Sequence, residues 1–161
     1  MLKTNPKHLN GWEMTRELKN GKVKVMSFSG ATADCMTDYM KPSLRENPNH
    51  FILHVGTNDL ISNNSAKCIA ESIIEKAVYL KNDKHDVSIS SIVLRKDNLK
   101  NKVDEVNNNL KEMCTEKNIF LIDHSKSIKQ RHINRSKVHL NMKGSTVLGK
   151  TFVNHISSIF N

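Results

Sequence analysis

The stretch HFILHVGTNDL, residues 50–60, decides how this sequence folds. It contains an apolar run, FILHV at 51–55, of the kind that forms a strand covered on both faces. The run passes directly into the polar turn Gly56-Thr57-Asn58-Asp59. Asn-Asp after a glycine is most commonly a turn or a helix cap, but the same groups can also serve chemistry at the end of a buried strand.

Strand-like and helical patterns alternate along the rest of the chain. The strand candidates are 22–28, 51–55, 87–93 and 119–122. Apolar residues recur at helical spacing in 65–80, 103–114 and 145–160. This alternation predicts a three-layer α/β/α sandwich with a mainly parallel, flavodoxin-like sheet.

Smaller local signals complete the secondary-structure prediction. A shorter helix is expected over 34–41, ended by Pro42. Gly11 and Trp12 are expected at the start of another helix, and Ser145 is expected to cap the last one.

Length and composition indicate one domain over residues 1–161, with 37% hydrophobic and 25% charged residues. No apolar run is long enough to cross a membrane, and the first residues lack the apolar core of a secretory signal. We therefore expect an intracellular protein, cytoplasmic or nuclear, without membrane association. Cys35, Cys68 and Cys114 fit neither a disulfide framework nor a metal motif, which favours reduced core thiols and predicts no metal or cofactor.

The formal charge of +9 is the unusual bulk property of the chain. Such a charge can attract nucleic acid. The 25 Lys and Arg residues are dispersed along the sequence, so a solvated basic face is the simpler interpretation. Aromatic residues make up only 5% of the chain and offer few platforms for stacking bases. Nucleic acid therefore stays open as a partner.

Ligands of parallel sheets bind beyond the carboxyl ends of the strands, which directs attention to the loops that follow the predicted strands. Asn58 can aim its side-chain NH₂ at a developing oxyanion, and Gly30 can offer an unobstructed backbone N–H. His139, in a polar loop before the last helix, is a candidate general base. Each signal is weak alone, and their order along an α/β chain strengthens the combination.

These motifs resemble the sequence blocks of SGNH-type (GDSL-like) hydrolases. FSGAT, residues 28–32, is similar to the second block, with Gly30 as the oxyanion glycine. Gly56-Thr57-Asn58-Asp59 matches the G-x-N-D third block, in which Asn58 would complete the oxyanion hole and Gly56 and Asp59 would support the loop. Residues 136–144, SKVHLNMKG, approach the fifth block, D-x-x-H followed by Lys-Gly. The resemblance implies a serine ester hydrolase that takes a small ester or acyl ligand.

The sequence also resembles, more particularly, animal predicted proteins in which HVGTNDL recurs, some of them tied to mobile elements.

Two parts of the family pattern are missing. Its nucleophile is the serine of a G-D-S motif after the first, central strand, and residues 1–10, with Pro6 and no apolar run, supply neither strand nor motif. The resemblance therefore implies a domain that is truncated at its N-terminus and lacks the first central strand.

The second missing part is an acid. Ser136 stands where the family has the aspartate that orients the histidine, and a hydroxyl carries no charge. Asp123, which follows the last strand, is the remaining candidate for the missing acid. An aspartate at such a position more commonly caps a turn. On this interpretation His139 is the remnant of a general base without a nucleophile to serve.

Three functions follow from these observations. The first is an SGNH-type esterase-like domain that is catalytically impaired, a pseudoenzyme. The second is a basic module that binds nucleic acid, derived from a mobile-element protein. A flavodoxin-like ligand binder ranks last, because the sequence has no phosphate-cradling glycine loop. The sequence does not determine the oligomeric state.

Overall fold

Strands and helices alternate through most of the chain. The computed structural model describes residues 11–18, as backbone, and residues 21–160. The strands are β1 (Gly11–Leu18), β2 (Gly21–Phe28), β3 (His50–Leu53), β4 (Asp86–Ser90) and β5 (Phe120–Ile122). The helices are α1 (Met36–Tyr39), α2 (Lys41–Arg45), α3 (Ala66–Asn82), α4 (Lys100–Glu116) and α5 (Met142–Ile159). Short 3-10 turns cover Asp59–Ile61 and Gln130–His132.

Strands β3, β4 and β5 form a parallel sheet in that order. The register places Leu53 beside Ile89, and Ile89 beside Leu121. Residues that are paired across neighbouring strands point to the same face of a sheet, and successive residues along a strand alternate between faces. Leu53 and Ile89 are such a pair and share one face. The predicted parallel sheet with intervening helices is confirmed.

The helices cover the two faces of this sheet differently. Helices α3 and α4 pack on the apolar face, where Ile73 and Leu110 join Leu53 and Ile89 in the main core. Helix α5 lies on the other face, where Phe152 contacts the ring of His54. The result is the predicted arrangement of three layers.

The strand β2 is not hydrogen-bonded to the parallel sheet within the described part of the chain. It pairs with β1 as an antiparallel hairpin, whose register sets Leu18 against Gly21. The expectation of a helix beginning at Gly11 and Trp12 is wrong, since both residues lie in β1.

Among residues 11–18 and 21–160, β3 is therefore an edge strand of its sheet. The first central strand of the family would lie beside this edge. The predicted absence of that strand from the sequence concerns residues 1–10, which fall outside the described residues.

Two helix boundaries differ from the prediction for local reasons. Pro42 does not end a helix but opens α2, where its missing N–H needs no partner. The cap of α5 is Asn141 and not Ser145, because the Asn141 side chain accepts a hydrogen bond from the N–H of Gly144 at 2.9 Å.

The three cysteines are free thiols, as predicted, but only Cys114 belongs to the core. Burial raises the pKa of the Cys114 thiol to about 11. The prediction of core thiols is wrong for Cys35 and Cys68, which are exposed.

In the described residues, no helix has the length and apolar character needed to cross a bilayer, and no group of three or more His, Cys, Asp or Glu residues could hold a metal ion.

Candidate functional site

The loop after β3 turns sharply at Gly56, which is buried and has φ of 117°. A Cβ atom at this position would lie 2.8 Å from Ile92 Cδ1 and 2.9 Å from Ile73 Cδ1. The dihedral angle favours glycine here, and a Cβ would in addition displace the ends of two buried isoleucine side chains. The core of the molecule thereby fixes where the next residues of the loop lie.

Asn58 and Asp59 join this loop to the loop that follows β2. The Asn58 side-chain amide donates to the carbonyl oxygen of Ala31 at 2.8 Å. The N–H of Ala33 donates to both carboxylate oxygens of Asp59 at 3.1 Å. Burial raises the pKa of the Asp59 carboxyl, and the hydrogen bonds from Ala33 and from its own backbone oppose that shift. The structure thus brings the second and third sequence blocks together.

Gly30 lies in the loop beside this contact. It has φ of 75° and is exposed, and no atom lies within 4 Å of where a Cβ would stand. Its N–H donates to no group within residues 21–160. Gly30 thus has an unused backbone donor one residue before Ala31, and the Asn58 amide uses one of its two hydrogens on Ala31.

His139 lies in the loop between β5 and α5, which is held by backbone hydrogen bonds. Asn134 N–H donates to the carbonyl oxygen of His139 at 2.8 Å, and Lys96 N–H donates to that of Lys137 at 2.8 Å. The second bond ties the loop to the segment that follows β4. The side chain of His139 is exposed, and its ring makes no hydrogen bond within the described residues.

Ser136 does not contact the ring of His139. Its hydroxyl donates to Asn134 Oδ1 and accepts from the backbone N–H of His139 at 3.3 Å. The side chain therefore closes the turn in which both residues lie. Ser136 and His139 are adjacent through the backbone, and no hydrogen bond joins either of them to Gly30 or Asn58 in the part of the chain that the structure describes.

Asp123 and His132 have structural roles. Asp123 accepts from the backbone N–H and the hydroxyl of Ser125, at 2.8 and 3.0 Å, and so caps a turn. His132 is buried, and its Nδ1 accepts from the N–H of Lys129 at 3.1 Å. The prediction that Asp123 caps a turn is confirmed.

Sequence reasoning missed a polar layer between the sheet and α5. We call this set the Ser–His layer, and it consists of two serines of β4 and four histidines: Ser88, Ser90, His50, His54, His124 and His155. Ser88 Oγ lies 2.9 Å from His50 Nε2 and 2.7 Å from His155 Nε2. Ser90 Oγ lies 2.7 Å from both His54 Nδ1 and His124 Nε2. The alternation of Ser88 and Ser90 along β4 could have revealed this face.

A serine hydroxyl has one proton, so it donates to one ring nitrogen and accepts from the other. Each bridge in the Ser–His layer therefore requires at least one neutral ring. Burial lowers the pKa of His50, His124 and His155, while Asp86 and Asp123 oppose the shift at His50 and His124. Desolvation of the ring and the nearby His124 lower the pKa of His54, although its side chain retains an exposed portion. Ser88 and Ser90 are 0% and 1% exposed and are inaccessible to a substrate.

The sequence matches no protein-family model and no curated protein. The structure, in contrast, is similar to solved structures. A GDSL-like lipase from Bacteroides thetaiotaomicron superposes with a TM-score of 0.70 at 15% identity, covering 81% of this chain and 73% of the lipase. The chain has the GDSL-like hydrolase fold.

Two more structures share this fold. A lipase/acylhydrolase from Enterococcus faecalis has a TM-score of 0.70 at 19% identity, over 82% of this chain and 73% of that chain. A member of the lipolytic protein G-D-S-L family from Veillonella parvula has a TM-score of 0.66 at 23% identity, over 78% and 74%.

Proposed function

We propose that this chain is an SGNH-type, esterase-like domain that retains a site for a small acyl or ester ligand and has lost efficient hydrolysis. The observation that carries the proposal is the contact between the loops after β2 and β3. Asn58 is held against Ala31 at 2.8 Å, and the preceding residue, Gly30, is exposed and its N–H donates to no group within residues 21–160. Two such donors, fixed by the fold, suit an oxygen that carries negative charge.

Impaired catalysis is supported by the surroundings of His139. Its ring has no carboxylate partner within residues 21–160, since Ser136 stands at the family's aspartate position and its hydroxyl is engaged with Asn134. No serine, threonine or cysteine in the same range hydrogen-bonds to this ring. In serine hydrolases the histidine needs both a charged partner that orients it and a hydroxyl to deprotonate.

The nature of the ligand is inferred from the structurally similar proteins, which are described as lipases, acylhydrolases and an acetyl esterase with a bound acetate ion. A short carboxylate presents the same charged oxygen as a reaction product and avoids the need for turnover. It is therefore the appropriate probe for a site whose hydrolysis is lost.

The test is a titration of the ¹⁵N-labelled protein with sodium acetate and sodium butyrate, followed by NMR. We expect saturable shifts of the Asn58 side-chain amide and of the Gly30 backbone amide. The side-chain amide of Asn109, which donates to the carbonyl oxygen of Glu105 on the exposed surface of α4, is the internal control. Unchanged Asn58 and Gly30 signals, or equal drift of all three, would contradict a retained acyl site.

A further inference from the structure

The net positive charge of this chain is concentrated in its last part. Asp123 is the last acidic residue, and residues 124–161 contain no Asp or Glu. The same segment contains seven basic residues, which are Lys126, Lys129, Arg131, Arg135, Lys137, Lys143 and Lys150. It therefore accounts for seven of the nine net positive charges. The Lys and Arg residues are dispersed, as predicted, and the excess of positive charge in this segment comes from its lack of acidic residues.

These seven cations belong to one structural unit, residues 124–150, which we call the basic lobe. A small apolar cluster holds the lobe together, in which Ile128 and Ile133 pack with Val93 and with Val147 and Leu148 of α5. A β-bridge between Ile133 and Leu140 closes its loop. All seven cationic residues are exposed. A rigid support therefore presents the charges to solvent.

No carboxylate neutralises the basic lobe within residues 21–160. Ion pairs elsewhere involve Lys24, Lys41, Lys67, Lys76 and Arg95. In the lobe, the Lys129 ammonium donates to the carbonyl oxygen of Ser125 at 3.0 Å, and Arg131 Nε contacts His132 at 3.3 Å. These partners carry no negative charge, so the positive field of the lobe is not cancelled.

We propose that the basic lobe binds the phosphate backbone of nucleic acid without sequence specificity. Lys and Arg side chains that neutralise successive phosphates release condensed counterions, and this release supplies most of the affinity of such binding. The lobe has one exposed large hydrophobic side chain, Met142, which gives an anionic membrane little to anchor in. With few aromatic residues, contacts to phosphates and not base stacking are the expected mode.

The test uses three exposed cations of the basic lobe whose side chains make no hydrogen bond or ion pair in residues 21–160, so that reversing their charge leaves the fold's contacts intact. These are Lys126, Arg135 and Lys143, changed together to Glu. The control is a second triple charge reversal outside the lobe, Lys84→Glu, Lys100→Glu and Lys111→Glu, at exposed positions. Both variants change the net charge by the same amount.

Binding of a fluorescein-labelled DNA duplex and of single-stranded RNA is measured by anisotropy between about 50 and 200 mM KCl. We expect the lobe variant to bind about tenfold or more weakly. For this variant, the slope of log K against log salt concentration should be shallower by roughly 0.9 for each phosphate that it no longer neutralises. The control variant should bind within about twofold to threefold of the unaltered protein.

Three results would overturn the proposal. The first is that the unaltered protein binds neither nucleic acid. The second is that both variants weaken binding equally, which would indicate net charge and not the basic lobe. The third is that vesicles of phosphatidylserine and phosphatidylcholine bind through the lobe while nucleic acids do not, which would assign the lobe to an anionic membrane.

Discussion

At the scale of single residues, Gly56 couples the core to the candidate site. Its position between Ile92 and Ile73 fixes the turn that carries Asn58 and Asp59. The sequence identified this glycine as part of a turn between a buried strand and a polar pair. Its contacts with Ile92 and Ile73 come from long-range packing, which no local pattern contains.

We predict that Gly56→Ala destabilises the protein by about 2–4 kcal/mol, since the new methyl group meets the core and φ of 117° strains any residue with a Cβ. Gly149→Ala is the matched control, because this helical position has nothing within 4 Å of a Cβ. The control should gain about 0.5–1 kcal/mol from helix propensity. Urea denaturation of both variants measures the difference, and equal changes in the two would refute the packing argument.

At the scale of secondary-structure elements, helix α5 rests on polar and not apolar contacts with β4. Ser88 and His155 hydrogen-bond at 2.7 Å, and Phe152 packs against the rings of His54 and His124. The helical pattern of 145–160 predicted this helix correctly. The pattern could not show that its partners include histidines, because these are distant in sequence, with His50 in β3, His54 just after β3 and His124 shortly after β5.

We predict that the protein loses stability as the pH falls below about 6.5, the ordinary pKa of histidine. Burial lowers the folded-state pKa of His50, His124 and His155, so the unfolded chain takes up protons first. Stability is full above this pH and decreases by up to about 1.4 kcal/mol per pH unit for each such histidine.

Urea denaturation at intervals from about pH 7.5 to 5 measures this dependence. His155→Gln should reduce the slope, since it removes one of the buried titrating rings. Asn154→Gln, at the exposed neighbouring position, should leave the slope unchanged. A free energy of unfolding that stays constant over this range would contradict neutral histidines in the Ser–His layer.

At the scale of the whole molecule, the parallel sheet and its covering helices could be predicted from sequence, but the place of β2 could not. The alternation of Val23 and Val25 identified a strand without indicating its partner. The local hairpin with β1 competes with the long-range strand order that the family resemblance implies. Strand pairing depends on such competition, and single-strand patterns do not encode it.

The candidate site, like the fold, could be predicted from the sequence only in part. Gly30 and Asn58 were predicted as neighbours and are joined through Ala31. Ser136 and His139 were also predicted as neighbours, yet the hydroxyl of Ser136 closes its own turn and does not reach the ring. Motifs identify which loops meet at an edge, while side-chain directions depend on turn geometry that the motifs leave open.

The most direct test of impaired catalysis compares hydrolysis of p-nitrophenyl acetate by the unaltered protein and by His139→Ala. The members of a catalytic triad act as a unit, so in a chain without a nucleophile, as we propose for this one, the removal of the histidine costs little more. Lys137→Ala, in the same loop and exposed, is the matched control. We predict that all three proteins hydrolyse the ester at rates within about twofold of one another, and about 10⁴-fold or more below a competent serine hydrolase. Saturable turnover by the unaltered protein that falls at least about tenfold in His139→Ala alone would contradict this prediction and establish a working nucleophile.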